Sequence, residues 1–191
     1  MSEVTNHGYE LVMQGERSGI YQCWFLELPG SDFSCENQED IFFESEKVLR
    51  DWSKRASDQK MVIPKSGAHR GFNGAIRIRI ARTLYRLIDL VARERDVSVS
   101  ALVTAMLKCG ADWLLHELKI VDGPVDVSLD MEHVVHRKWS ADKMVAEGHW
   151  IQKISPDLHY TLAWLAENEG LSISALTQFL LGRVFWATSL K

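Results

Sequence analysis

Two arginines that alternate with isoleucines are the residues of this sequence with the clearest chemical potential. The run Ile76-Arg77-Ile78-Arg79-Ile80 alternates strictly, so on a β-strand the isoleucines share one face and the arginines share the other. A guanidinium group presents a planar fork of donors that suits phosphates and other paired acceptors. The pattern therefore predicts a strand with one apolar face and one anion-binding face.

The charge around this strand is positive although the whole chain is acidic. The 191 residues carry a net charge of −4, but residues 60–113 hold 10 Lys/Arg against 4 Asp/Glu. Between Asp58 and Asp89 no residue is acidic and seven are basic: Lys60, Lys65, Arg70, Arg77, Arg79, Arg82 and Arg86. Such a segment suits a polyanion. The alternatives are a solvated face or a contact with the chain's own residues 1–59, which hold 12 Asp/Glu against 5 Lys/Arg.

The other reactive side chains form no recognisable catalytic, metal or cofactor motif. His133 and His136 have no carboxylate or thiolate at a metal-binding spacing. Cys23, Cys35 and Cys109 include no C-x-x-C pair, which argues against a zinc cage or a disulfide framework and favours a reducing cytosol. No nucleophile elbow and no glycine-rich phosphate loop occurs. We therefore expect a cytoplasmic protein that is not an enzyme, with no catalytic residue, metal or cofactor.

The composition indicates an ordinary globular chain, with 46% hydrophobic and 25% charged residues. No apolar run approaches the ~18–20 residues that a membrane helix needs, and the first residues lack the pattern of a signal peptide. We therefore expect no membrane contact.

The elements before the arginine strand are predicted from local patterns. β-Branched and aromatic residues at 9–13 and 20–28 flank a polar turn, which predicts a hairpin. Apolar residues recur at helical spacing from about 38 to 56, so residues 1–59 are expected to form an acidic hairpin-helix segment. Residues 60–75 carry three glycines among basic side chains and are predicted to be a basic arm or linker.

An internal repeat with an offset of 74 residues follows this arm. Ser98-Val99-Ser100-Ala101-Leu102 recurs as Ser172-Ile173-Ser174-Ala175-Leu176, and residues 76–109 match 150–183 without a gap at 8 of 34 positions. Each copy is predicted to contain a short strand, a helix, and a second helix capped by a serine. The first copy is expected to span 76–119, a connector 120–147, and the second copy 148–191.

The two copies differ in the pattern of their strands and first helices. In the first copy, helical spacing predicts an inward face of Leu84, Leu87, Ile88, Val91 and Ala92. In the second copy, Ser155-Pro156-Asp157 predicts a capped helix start. In the second strand Ile151 is predicted to face outward and Gln152 to take a core position. That arrangement indicates either a mainly structural strand or a register shifted by one residue.

With these features each copy resembles the ribbon-helix-helix family, the Arc, MetJ and CopG type of DNA-binding proteins. The likeness rests on residues 76–107 and 154–181. It implies an α+β, mainly helical fold, in which paired strands form a ribbon over four helices. It further implies that outward strand residues contact bases in the major groove of double-stranded DNA; here these are Arg77, Arg79, Ile151 and Lys153.

The resemblance also implies where phosphates would bind and how the copies would pair. Phosphate binding maps to the start of each second helix, at Ser98, Val99 and Ser100 and at Ser172, Ile173 and Ser174, with Lys65 and Arg70 adding contacts from the arm. The copies can pair within one chain, as in TraY-type proteins, or between two chains. We favour internal pairing, because residues 114–146 are long enough to return the chain.

The resemblance therefore implies a sequence-specific DNA-binding protein, acting as a transcriptional repressor or as a nucleoprotein accessory of a plasmid, phage or conjugation system. The main alternative is an interaction protein whose ribbon-helix-helix core only self-associates and whose acidic residues 1–59 bind a protein partner. An antitoxin is a weaker alternative, because most such relatives carry the toxin-binding segment at the other end.

Overall fold

The computed structural model describes residues 4–6, 8–15, 19–121 and 149–189. Within these ranges the chain forms five α-helices and two antiparallel sheets, which confirms the predicted α+β class. The described residues fall into two compact units. The first contains residues up to 71 together with 115–121, and the second contains 72–114 together with 149–189.

The first unit is a four-stranded antiparallel sheet followed by one long helix. Its strands lie in chain order: β1 Val4–Asn6, β2 Tyr9–Gly15, β3 Tyr21–Phe25 and β4 Phe33–Cys35. A 3-10 turn, Gln38–Asp40, leads into α1, Ile41–Asp58. The predicted hairpin is confirmed as β2 and β3, and the predicted helix as the 3-10 turn with α1. The sequence does not reveal β1 and β4, because three residues carry too little alternation.

The core of the first unit lies between the sheet and α1. Trp52 of α1 is fully buried, and its indole N–H donates a hydrogen bond to the carbonyl oxygen of Pro29 at 2.9 Å. The apolar side chains around it come from strands, helix and the chain after residue 114: Leu11, Cys23, Phe25, Leu28, Cys35, Ile41, Leu49, Ala56, Leu115 and Ile120.

The second unit contains two copies of a strand followed by two helices. The first copy is β5 Ala75–Arg79, α2 Arg82–Glu94 and α3 Val99–Glu117. The second copy is β6 His149–Lys153, α4 Pro156–Asn168 and α5 Ile173–Ser189. All six elements occur where the sequence predicts them. Most of the predicted connector, residues 122–147, lies outside the described residues.

Strands β5 and β6 pair with each other in antiparallel orientation within the chain. At the centre of the pair, Arg77 lies opposite Ile151, which is its counterpart at the repeat offset of 74. On either side, Ile76 pairs with Gln152 and Ile78 with Trp150, so each copy contributes the same positions in reverse order. The strand register and the sequence repeat therefore define the same pseudo-two-fold centre.

Both second helices begin with the same serine cap. The Oγ of Ser98 accepts a hydrogen bond from the N–H of Ala101, and that of Ser172 accepts one from Ala175, each at 3.1 Å. A serine in this position satisfies an amide that the helix itself leaves without a partner. The predicted caps are confirmed.

Both first helices end through a left-handed residue at the same repeat position. That residue is Asp96 in the first copy, with φ of 52°, and Gly170 in the second, with φ of 65°. After each of them the next N–H bonds back over the last helical turn, from Val97 to the carbonyl of Ala92 at 2.9 Å. The second copy makes the equivalent bond at 2.8 Å, so the two copies share one termination geometry.

The core of the second unit lies beneath the ribbon and between the helices. Its fully buried members include Ile78, Ile88, Leu102, Leu107, Leu162, Leu165, Leu180 and Leu181. The inward prediction for Leu87 is wrong, because 38% of that residue is exposed. Successive helical residues are rotated by about 100°, so Leu87 lies at the edge of the narrow stripe centred on Ile88.

No α-helix among the described residues is by itself long and apolar enough to cross a membrane. Helices α2 and α3 reach that length and composition only together, across a bend of 107°.

Candidate nucleic-acid interface

The ribbon has an outer face that consists of three side chains from each strand. On β5, Arg77 and Arg79 are exposed while Ile76 and Ile78 are buried. On β6 the alternation exposes His149, Ile151 and Lys153. We call the following set the ribbon face: Ala75, Arg77, Arg79, His149, Ile151 and Lys153. It contains four side chains able to donate hydrogen bonds and no acidic residue.

The ribbon face is arranged in three cross-strand rows. The central row is Arg77 opposite Ile151. At one end Arg79 lies opposite His149, and its Nε donates a hydrogen bond to His149 Nε2 at 3.2 Å. At the other end Ala75 lies opposite Lys153. Each end row therefore carries one permanent cation, and the central row combines one cation with one apolar side chain.

The orientation of β6 agrees with the outward position predicted for Ile151. Ile151 is 65% exposed and Gln152 is 1% exposed, so the strand is not shifted by one residue. All four predicted base-contacting residues, Arg77, Arg79, Ile151 and Lys153, lie on one face. His149 is not among the predicted residues, because the predicted second strand begins at Trp150. Extending the alternation back by one residue includes His149.

Gln152 connects the ribbon to the first turn of α3. Its Nε2 lies 2.8 Å from Ser100 Oγ and 3.0 Å from both the Ser100 carbonyl oxygen and Thr104 Oγ1. Its Oε1 accepts a hydrogen bond from Trp150 Nε1 at 3.0 Å. A buried amide with partners on both of its polar atoms is well satisfied. Gln152 thereby fixes the start of α3 against the second strand.

The predicted phosphate-binding residues occupy the two helix starts. Ser100 and Ser172 are exposed, Ser98 and Ser174 are half-buried, and Val99 is buried. The hydroxyls of Ser98 and Ser172 cap their helices, so any anion at these positions would be held mainly by backbone amides and the helix dipole. The phosphate role stays a prediction.

Lys65 and Arg70 belong to the first unit. The guanidinium of Arg70 forms an ion pair with Glu10. Nearby, the Gly67 N–H donates to the buried carboxylate of Glu27 at 2.8 Å, and Tyr9 Oη donates to the carbonyl of Pro64 at 2.8 Å. Residues 64–70 are therefore attached to the acidic first unit, as expected if this basic stretch contacts the chain's own acids. Their predicted phosphate contacts stay untested.

The cysteines and histidines of the described ranges provide no second site. Cys23, Cys35 and Cys109 are free and buried, and burial raises the pKa of Cys23 to about 11, so its thiol stays protonated at neutral pH. Within the described residues no group of His, Cys, Asp and Glu could hold a metal ion. His133 and His136 lie outside those residues.

Comparison of the chain with protein-family models, with curated proteins and with solved structures finds no match in any of the three. Any function proposed for this chain therefore depends on the chemistry of the ribbon face.

Proposed function

We propose that the second unit is a tandem ribbon-helix-helix module that binds a specific site on double-stranded DNA. The observation that carries the proposal is the ribbon face, an exposed two-stranded surface with four donor side chains and no carboxylate. Internal pairing of β5 with β6 supplies the complete ribbon from one chain.

The shape and chemistry of this face suit the major groove. A two-stranded ribbon fits into that groove, whose base edges carry a distinct pattern of acceptors and donors for each base pair. Arginine bound to the O6 and N7 of guanine is the commonest specific contact, which gives Arg77 and Arg79 the principal role. Lys153 can approach the same acceptors as a single charge.

The helix starts provide the contacts that orient the ribbon on the duplex. Phosphate contacts fix register, whereas base contacts determine sequence. The first turns of α3 and α5 leave backbone amides outside the helical hydrogen-bond ladder, and amides of this kind bind phosphate. Gln152 joins one of these turns to the ribbon, so a phosphate bound there would set the depth of the ribbon in the groove.

In this proposal the protein acts as a transcriptional repressor or as a nucleoprotein accessory of a mobile element. Neither role requires catalysis. The positive ribbon face within an acidic chain would confine DNA contact to one surface.

Fluorescence anisotropy with labelled duplexes over a salt series tests the proposal. For the wild type, log affinity should fall linearly with log salt at about 0.9 per phosphate neutralised. Arg77→Ala with Arg79→Ala should abolish the preference for one duplex over another, because each guanine contact contributes about 1–3 kcal/mol. Arg86→Ala with Arg95→Ala, which removes two exposed arginines outside the ribbon, should leave that preference in place. Unchanged preference in the ribbon variant would refute the proposal.

A second candidate function is protein binding by the first unit. Phe42 and Phe43 at the start of α1 are 56% and 69% exposed, beside the acidic residues Glu39 and Asp40. Large exposed aromatic side chains are typical of interaction surfaces. Light scattering tests this candidate for the case in which the protein partner is a second copy of the chain. A mass above 21.8 kDa, in a protein that shows no preference among duplexes, would favour protein binding over DNA binding.

A further inference from the structure

We propose that the DNA target is asymmetric at its centre, with a guanine contacted by Arg77 and, within about one base pair, a thymine methyl group contacted by Ile151. This inference depends on the proposed function and adds to it the kind of sequence that is recognised. It rests on the register and the exposure of the central row of the ribbon face.

The register places two different chemistries at the pseudo-two-fold centre. Arg77 and Ile151 are repeat counterparts and also direct cross-strand partners. In a ribbon made of two identical strands, the central row would carry the same residue twice and would favour a symmetric target. Here one side of the row is a cationic donor and the other is aliphatic.

The exposure of Ile151 makes this side chain available for contact with an apolar group of the DNA. Ile151 is 65% exposed, and the other exposed residues of its strand are His149 and Lys153. An isoleucine side chain exposed to water contributes no hydrophobic free energy, whereas the burial of each methylene-sized group contributes about 0.8 kcal/mol. On the base edges of the major groove, the apolar group offered is the C5-methyl of thymine.

The spacing of the central row limits how far apart the two contacts lie. Directly opposed side chains of an antiparallel pair have Cβ atoms about 4.5–5.5 Å apart. Successive base pairs are stacked about 3.4 Å apart. The guanine bound by Arg77 and the thymine contacted by Ile151 are therefore expected in neighbouring base pairs.

The end rows predict a guanine at each end of the target, although their second residues, His149 and Ala75, differ. Arg79 and Lys153 are also repeat counterparts, and they lie at opposite ends of the ribbon face. Both are cations that favour guanine O6 and N7. The expected target is a sequence with guanine on both sides of a centre that differs between its two halves.

Replacing single thymines by uracil in a bound duplex tests the inference, because the exchange removes only the C5-methyl group. For the wild type, one such replacement next to the central guanine should weaken binding about fourfold, the effect of losing one buried methyl group. Replacements elsewhere in the duplex should have little effect.

Two variants assign the effect to Ile151. Ile151→Ala should bind the thymine and uracil duplexes equally, because the contact is already absent. Ile63→Ala truncates another exposed isoleucine, 45% exposed and outside the ribbon, and should keep the fourfold difference. Both positions are on the surface, so neither change removes core packing.

The outcomes separate this inference from the proposed function. The inference is overturned if no single uracil replacement weakens binding, or if the fourfold loss of affinity persists in Ile151→Ala. The proposed function still stands in that case if Arg77→Ala with Arg79→Ala abolishes site preference in the same assay. Binding that never depends on the two arginines overturns both.

Discussion

The two copies of the strand-helix-helix unit have the same backbone geometry but carry different chemistry on the ribbon face. Ser98 and Ser172 form the same cap with the same 3.1 Å bond, and Asp96 and Gly170 end their helices in the same left-handed conformation. On the outer face, however, Arg77 has Ile151 as its counterpart. The backbone geometry is therefore alike in the two copies, whereas the chemistry at the centre of the ribbon face is not.

The inner side of the ribbon shows a second difference between the copies. The first strand buries Ile78, and its repeat counterpart in the second strand is Gln152, equally buried but hydrogen-bonded to the start of α3. The second strand therefore gives up an apolar contact for a polar connection between ribbon and helix. In the proposed function, β6 therefore orients the module, while β5 supplies both guanidinium groups of the ribbon face.

The largest stability effect is expected at this polar connection. Gln152→Leu would place an apolar side chain at the buried position of the second strand and would remove the acceptor of Trp150 Nε1 and the donor to Ser100 Oγ. Losing a satisfied buried amide of this kind should lower the free energy of unfolding by about 2 kcal/mol. Urea unfolding measures this change in the free energy of unfolding. The control is Ile78→Val at the equivalent position of the first strand, which should lower the free energy of unfolding by about 1 kcal/mol. A Gln152→Leu variant as stable as the wild type would mean that the network contributes nothing.

A smaller effect is expected where the first helices end. Gly170→Ala places a side chain in a left-handed conformation and should cost about 1 kcal/mol, although nothing lies within 4 Å of the added Cβ. Asp96→Gly makes the reverse exchange in the first copy and should gain about 0.5 kcal/mol. Thermal unfolding of both variants compares them. Two shifts of the same sign would show that the two termini are not equivalent.

The smallest effect is expected in the pH dependence of stability. Burial lowers the pKa of His159, which packs edge-on against Phe72 with ring centroids 4.9 Å apart. As pH falls through the usual pKa of histidine, about 6.5, the unfolded chain takes up this proton before the folded protein does. The folded protein therefore loses stability towards lower pH.

Exchanging His159 for its counterpart in the first copy tests this effect. That counterpart is Tyr85, so His159→Tyr should reduce the loss of stability between pH 7 and pH 5, measured by urea unfolding at each pH. An unchanged pH profile in His159→Tyr would show that another group causes the loss.

Local patterns in the sequence predicted most of the second unit. The alternation at 76–80 gave the inward and outward faces of β5, and the repeated serines gave both helix caps, because these features depend on residues close together in the chain. The predicted position of Gln152 is also correct, but its partners on α3 are 48 to 52 residues away. No local periodicity encodes such partners.

The first unit shows the same limit more clearly. Glycines and basic residues at 60–75 predicted an arm, but the bonds that tie residues 64–70 to the acidic sheet join residues 40 to 60 positions apart. The opposite charges of residues 1–59 and 60–75 were the only indication in the sequence. They were equally compatible with phosphate binding and with contact between these two parts of the chain. The predicted burial of Leu87 is wrong because helical spacing identifies the centre of an apolar stripe more reliably than its edge.

The central claim is that the ribbon face recognises bases in the major groove. Its most direct test is selection of bound duplexes from a random pool, followed by methylation interference at guanine N7, which lies in that groove. The account predicts one enriched sequence in which methylation of two or three guanines blocks the wild type, and no enrichment by Arg77→Ala with Arg79→Ala. Absence of an enriched sequence, or the same enrichment by the variant, would contradict it.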